Sequence, residues 1–401
     1  MTAAEVTAAE VVVVGGGIIG LSIAWRCQQR GLTVTVHDRG GDDGAWYAAA
    51  GMLAPAGEAG FGQRALTALM VDSSARWPAF AAELERETGI DVGYDTVGTL
   101  SVALTADDLA EARRLWEYRR EHGLGVQTLL PSALRGLEPA LSPRLRGGAH
   151  AADDRQVDPR RVVAALRAVL GPAIVPGWIE PGPTRPDRST TAKPGAAARP
   201  GPAGPGPAGP GPAGPGVARP GPAGPGVADF LAARPDRAVV IAAGAGTAAL
   251  TGLPVRPVKG LVLRLRGEPG LLRHVINGWA DGRHVYLVPR ADGEVIVGAT
   301  QEERADATVT AGQVLDLLRA ATDLVPELGE CDLVETLVRH RPATPDNAPL
   351  LGAYPGGLVV AAGHHRNGVL LAPVTADLIA ELVATGKSAP LLDAFAPGRF
   401  G

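Results

Sequence analysis

The sequence predicts an α/β fold organised around a doubly wound, Rossmann-like parallel sheet. Three observations predict it. Residues 11–14 are four consecutive valines, an apolar β-branched run that suits a strand buried on both faces. Gly15, Gly17 and Gly20 follow at once in the order G-x-G-x-x-G, and residues 21–30 then read as a helix ended by Gly31. A second β-rich run, residues 33–37, leads to an acid, Asp38.

Strand, glycine turn, helix and strand together make a βαβ crossover, right-handed by default. The helix places Leu21, Ala24 and Trp25 on one side and Arg26 and Gln29 on another. Residues 64–88 and 105–122 read as two further helices with polar faces. Residues 158–170 read as a helix with Asp158 as N-cap and Pro159 in its first turn. Residues 282–300 read as a β-hairpin turning at Ala291-Asp292-Gly293. Residues 310–325 read as a helix, 357–361 as a strand and 374–384 as the last long helix.

A length of 401 residues allows two domains with sizeable cores, and an apolar share of 46% is that of a globular protein. The net charge of -4 does not suggest nucleic acid or an anionic membrane as the main partner. The two cysteines, Cys27 and Cys331, fit no metal spacing and no disulfide framework, so no metal is expected and a reduced, cytoplasmic compartment fits best. The acidic start lacks the basic opening of a signal peptide. No apolar run approaches the roughly 20 residues that cross a bilayer. Residues 181–228 stand apart, with Gly201-Pro202-Ala203-Gly204-Pro205-Gly206 and near repeats of it. Glycine does not occupy every third position, which excludes a collagen triple helix. The stretch reads as a solvated Pro/Gly-rich insertion, partly polyproline II.

The glycines carry specific chemistry. The first makes a tight turn, the second lets backbone approach a pyrophosphate, and the third lets helix and strand pack closely. The helix N-terminus then offers free N–H groups and a partial positive charge to the phosphates. Asp38 stands where a carboxylate would hold ribose hydroxyls. A glycine turn without a ligand is the competing reading, and the ordered context weighs against it. This motif binds a dinucleotide without saying which.

Four stretches together resemble the D-amino-acid oxidase superfamily of FAD-dependent oxidoreductases, most closely its glycine oxidases of thiamine biosynthesis. They are Val-Val-Gly-Gly-Gly-Ile-Ile-Gly at 13–20, Ala-Ala-Ala-Gly-Met-Leu at 48–53, the hairpin with Tyr286-Leu287-Val288-Pro289-Arg290 and Val297-Gly298-Ala299-Thr300, and Arg341-Pro342-Ala343-Thr344-Pro345-Asp346 running on to residues 362–368. The resemblance covers most of the chain outside residues 171–235. It implies a discontinuous FAD-binding domain (residues 1–87, 151–180, 229–254 and 346–401). It also implies a substrate domain with a mostly antiparallel sheet (88–150 and 255–345). Gly15, Gly17, Ile18, Ile19 and Gly20 would hold the pyrophosphate, with Asp38 and Arg39 at the adenosine end and Ala45 and Trp46 in the following turn. Ala50, Gly51 and Met52 would run along the isoalloxazine. His364, His365, Arg366, Asn367, Gly368, Val369 and Leu370 would close over it. Arg341 would take a substrate carboxylate, with Tyr286, Arg366 and Met52 close to the substrate and His284 a lesser candidate. Two departures stand out. Gly44-Ala45-Trp46-Tyr47 replaces the hydroxyl residues usual before residue 48, and Leu337-Val338-Arg339-His340 precedes Arg341 in place of small and aromatic residues.

The chemistry implied is oxidation of glycine or a small amino acid, with hydride leaving Cα for flavin N5 and oxygen as acceptor. Imine or glyoxylate, ammonia and hydrogen peroxide would be the products. A guanidinium matches a carboxylate in a two-pronged pair, and no strong general base is required. The duller readings stay open at this point. Arg341 could pair with Asp346 or Glu335, Tyr286 could be strand filler, and Met52 could be packing. The alternative activities are a D-amino-acid or sarcosine oxidase and a flavin dehydrogenase with a non-oxygen acceptor. The alternative outside enzymes is an FAD-binding scaffold with an impaired cofactor site. The oligomeric state is left open, with room for a homo-oligomer.

Overall fold

The computed structural model describes residues 10–177 and 237–400, so the acidic start and the Pro/Gly-rich stretch at 181–228 lie outside the described residues. The strands run in chain order as β1 (Glu10–Val14), β2 (Thr33–Asp38), β3 (Met52–Leu53), β4 (Thr99–Ala103), β5 (Gln127–Leu129), β6 (Gly147–Ala151), β7 (Arg155–Gln156) and β8 (Ile174–Pro176). They continue with β9 (Arg237–Ile241), β10 (Arg256–Arg266), β11 (Val275–Ala280), β12 (Arg283–Pro289), β13 (Glu294–Gly298), β14 (Asp332–Ala343), β15 (Leu350–Tyr354) and β16 (Leu358–Ala362).

One six-stranded sheet has the order β15-β16-β9-β1-β2-β8. Its pairs are parallel except for β15 with β16. The valines of β1 are at most 1% exposed, as a central strand covered on both faces requires. Val11 and Val13 face a core shared with the helices Ile18–Gln29, Arg64–Thr88, Pro159–Leu170 and Ala372–Thr385. Val12 and Val14 face a smaller cluster with Val239, Ile241, Leu253 and Leu350, covered by the short helix Thr247–Thr251. The sheet is thus wound on both faces, with most of the helical mass on one. In the larger core Trp25, Trp77 and Phe80 pack edge to face, each burial contributing roughly 1.5–3 kcal/mol.

The second sheet has eight strands in the order β14-β10-β13-β12-β11-β4-β6-β5. All its pairs are antiparallel except β11 with β4. Its core gathers Leu100, Leu261, Leu263, Ile276, Leu287 and Val297 beneath the helix Ala311–Leu324. Thr310 caps that helix, its hydroxyl accepting from the Gln313 N–H while the Gln313 side chain accepts from the Thr310 N–H. The predicted N-cap at Asp158 forms too, accepting from the Arg160 and Arg161 N–H groups. The expected hairpin is present as β12 and β13. Among the described residues no helix is long and apolar enough to cross a membrane.

Candidate active site

The glycine turn is built by close backbone approach. Gly15 has φ +119°, and a Cβ there would lie 2.4 Å from the Ala242 carbonyl oxygen. A Cβ on Gly20 would lie 1.9 Å from the Gly15 carbonyl oxygen, so helix and turn touch through backbone alone. Gly17 is the N-cap of Ile18–Gln29 and brings no capping side chain, which leaves the first N–H groups of the helix for a ligand. Asp38 ends β2 beside this turn, its Oδ2 being 2.3 Å from where a Gly16 Cβ would stand. Arg167 lies 3.5 Å from the same carboxylate oxygen.

One cavity of about 770 Å³ starts at this turn and runs to the antiparallel sheet. Gly15, Gly17, Ile18, Ile19, Asp38, Arg39, Ala45, Trp46, Ala50, Gly51, Met52, Tyr286, Arg341, His364, His365, Arg366, Asn367, Gly368 and Val369 all line it. Gly20 and Leu370 do not. Gly20 lies behind the turn, where it sets the packing distance just described. Leu370 is 1% exposed, and its carbonyl accepts from Ser73 Oγ at 2.6 Å and Trp77 Nε1 at 2.9 Å. It anchors the closing turn to the helix Arg64–Thr88.

The middle of the cavity is held by arginines that sequence reading did not assign. Arg290 donates to the Ala50 carbonyl at 2.5 Å and to Gln156 Oε1 at 2.7 Å. Arg160 donates to the Tyr47 carbonyl at 2.9 Å. Gly51 has φ +85°, and its carbonyl accepts from the Val157 N–H at 2.9 Å. The segment that lacks serine and threonine forms a short helix, Ala45–Ala48. Arg160 stacks on the Tyr47 ring at 3.7 Å, and Arg167 lies 5.2 Å from the Trp46 ring. In the second unusual stretch, Arg339 donates twice to the Asp42 carbonyl, at 2.9 and 2.7 Å. That bond ties β14 to the loop after Asp38.

At the far end Arg341 projects from β14. Its Nη1 donates to the Thr300 carbonyl at 3.1 Å, and its positive charge acts on the neighbouring Tyr286 hydroxyl. The duller pairings are taken by others, since Glu335 meets Arg160 and Arg264 and Asp346 meets Arg399. Arg366 forms an ion pair with Glu58 at 2.7 Å. His284 Nε2 lies 2.5 Å from Asn277 Oδ1. Glu58, Asn277 and His284 line the cavity with them. Glu58 lies in Pro55–Glu58, a four-residue helix with no motif around it, and only distance in space links it to Arg366.

Burial sets the protonation of this end. Tyr286 is half-buried and His284 exposed by surface, yet both stand on the cavity wall with protein packed behind them. Burial raises the Tyr286 phenol while Arg341 opposes it. Burial lowers His284 to about 4, the field of Glu58 opposing. His364 is lowered to about 3 by burial, and its Nε2 meets Thr375 Oγ1 at 3.1 Å. His365 is lowered to about 4, by burial first and then by Arg366 and Arg341. All three imidazoles are neutral near pH 7.

These residues fit an FAD. The cavity volume falls in the range of cofactor sites, roughly 300–1,000 Å³. Glycine backbone and an uncapped helix end stand at one end. At the other, the His365 Nε2 and Asn367 Oδ1 atoms are buried without a partner among the described residues, beside the Gly363 turn. Buried polar atoms left this way ask for a bound group.

Comparison with known proteins gives the same picture. The FAD dependent oxidoreductase family matches residues 10–171 and 218–382. The chain is 34% identical over 400 residues to a bifunctional protein ThiO/ThiG of a Synechocystis species, covering 98% of this chain and 54% of that one. The chain therefore spans about half the length of that curated relative. It is 32% identical over 400 residues to a glycine oxidase of Geobacillus kaustophilus, covering 95% of this chain and 94% of that one. The crystal structure of glycine oxidase from Geobacillus kaustophilus superposes with a TM-score of 0.78 at 31% identity, covering 97% of this chain and 98% of that chain.

Proposed function

The chain belongs to the FAD dependent oxidoreductase family, and from that premise we propose that it oxidises glycine and similarly small amino acids. The single observation that carries the reading is the position of Arg341. Its guanidinium lies in the same cavity as the glycine turn, bonded to Thr300 and close to Tyr286, with neither Asp346 nor Glu335 paired to it. The six-stranded sheet and its helices form the cofactor domain in this reading, and the eight-stranded sheet the substrate domain.

FAD, when bound, supplies the acceptor for the hydrogen and electron pair leaving the substrate α-carbon. Gly15, Gly17, Ile18 and Ile19 would hold its pyrophosphate and Asp38 its ribose. Ala50, Gly51 and Met52 would lie along its ring, and residues 364–369 would close over it. The protein's own work is binding and orientation. Arg341 takes the carboxylate through two N–H groups. Tyr286 fixes the guanidinium plane and presents its protonated hydroxyl. His284 stays neutral beside Asn277, so it places no charge near the amine. The amine loses its proton to solvent before reaction, and the released imine hydrolyses. A relative named ThiO/ThiG favours thiamine synthesis as the destination of the imine, and a relative named glycine oxidase favours oxygen as acceptor. The two unpaired cysteines fit a reducing compartment, which we take to be the cytoplasm.

A small substrate panel tests the reading. Glycine should release hydrogen peroxide, and bulky D-amino acids little. Flavin reduction without peroxide would instead identify a dehydrogenase. Arg341→Met should raise the KM for glycine by roughly 100-fold, the worth of a lost charge-assisted pair of about 3 kcal/mol, while bound FAD remains. Loss of FAD in that variant would remove the arginine from the substrate role.

A further inference from the structure

Two buried ionisable side chains outside the predicted set converge on one short stretch of backbone. Asp154, 1% exposed, follows β6, and its Oδ1 accepts from the Ala56 N–H at 3.1 Å. Arg119, 3% exposed, ends the helix Ala106–Glu121. Its Nε donates to the Ala59 carbonyl at 3.1 Å and its Nη2 to the Gly57 carbonyl at 2.5 Å. Two elements of the substrate sheet region thus grip the 55–59 turn by its N–H at one end and its carbonyls at the other. Gly57 leaves no room for drift, since a Cβ there would stand 3.3 Å from the second Asp154 oxygen and 3.1 Å from the Ala54 Cβ. The one charged side chain on this turn is Glu58, and it meets Arg366 at 2.7 Å inside the cavity.

The consequence is a matter of charge. Arg341 and Arg366 both line the cavity, and two guanidiniums would offer seats for two carboxylates. Glu58 already fills the second seat. We propose that Glu58 is a specificity-determining residue that masks Arg366, and that Arg119 and Asp154 are positioning residues that hold Glu58 there, so that the site accepts one carboxylate and rejects a second. A dicarboxylate must displace Glu58 from Arg366, or leave its own second charge facing an acid. Its rejection therefore has a repulsive element as well as a missing attractive one. This rests on the reading of Arg341 as the carboxylate site.

The test uses the FAD-loaded protein and two unreactive probes, acetate and malonate, titrated by calorimetry and by the flavin absorbance change. Acetate serves as the reference within each variant, so the quantity read is the malonate-to-acetate affinity ratio. Glu58→Gln should raise that ratio at least tenfold. Arg119→Met should raise it in the same direction, and the double variant should gain no more than Glu58→Gln alone, because Arg119 acts through Glu58. Adding Arg366→Met should abolish the gain. A ratio unchanged in Glu58→Gln overturns the masking. A gain in Arg119→Met that adds to that of Glu58→Gln overturns the positioning role. Where the methionine variant does not fold, Arg119→Lys keeps the charge but reaches only one carbonyl, and a wild-type ratio there overturns the clamp. Failure of the underlying reading shows separately, as acetate binding that survives Arg341→Met.

Discussion

Gly260→Ala should impair substrate binding while sparing both the fold and the cofactor. Gly260 lies in β10 opposite Arg339, in extended backbone that any residue can adopt. A Cβ there would stand 2.3 Å from Arg341 Nη1, 2.7 Å from its Cζ and 2.8 Å from Nη2. An ordinary contact needs about 3.5 Å, so the guanidinium must retreat by roughly one ångström. The obstacle is the end of a flexible side chain, so the strand itself need not move. The retreat breaks the 3.1 Å bond to Thr300 and turns the fork away from the substrate. A misplacement of that size costs on the order of 100-fold in kcat/KM. Steady-state kinetics with glycine read the loss, and flavin content and Tm are the controls. Wild-type kcat/KM in a folded, flavin-loaded Gly260→Ala would refute the claim that Arg341 must sit where it does.

Gly20→Ala should cost roughly 1–3 kcal/mol and lose FAD, because its Cβ meets the Gly15 carbonyl and only backbone can yield; flavin per chain and Tm check it. Arg167→Ala should weaken FAD about tenfold and flatten the salt dependence of its binding, since Arg167 sits over Trp46 and beside Asp38; titration of apoprotein at two salt concentrations reads both. His364 and His365 have folded pKa values below the unfolded one, so the stability carried by their neutral forms is present above about pH 6.5 and falls as the pH drops toward 3–4. Asp154 runs the other way. Burial raises it to about 7, against the Ala56 bond and Arg119, so its contribution is full below about pH 4 and is lost as the pH rises through 7. The urea midpoint should therefore fall between pH 6.5 and 4, and fall more steeply in Asp154→Asn; an equal or shallower slope in that variant would contradict the assignment.

Much of the six-stranded sheet and its glycine turn was legible because the signals are local. Four valines, three glycines and an acid fix a strand, a turn and a strand end within about 30 residues, and backbone contact explains each glycine. The helix cap at Asp158 is equally local. The substrate end was legible only in part. Arg341 and Tyr286 came through a resemblance, and space had to show that they touch. Glu58, Arg119 and Asp154 had no signal at all. Each is an ordinary charged residue in its own neighbourhood, and the 61 positions between Glu58 and Arg119 hide a contact made through backbone carbonyls. The arginines around Trp46 were missed for the same reason. Sequence reading could note the absence of serine and threonine at 44–47, but not the cations stacked there instead.

The strand order of the six-stranded sheet bears on how the protein is made. β1 pairs on one side with β2, close behind it, but on the other with β9, which begins at Arg237 and is itself bordered by β16 from Leu358. During synthesis the glycine turn emerges well before β9, whose following residue Ala242 seats Gly15 by its carbonyl and arrives more than 200 residues later. Pairings of such long sequence separation close slowly. The nascent chain must carry an exposed all-valine edge until they form, an aggregation hazard of the kind that flanking charge or a chaperone guards against. Flavin supply during expression should then decide yield as much as activity, since the ligand rewards only the completed sheet.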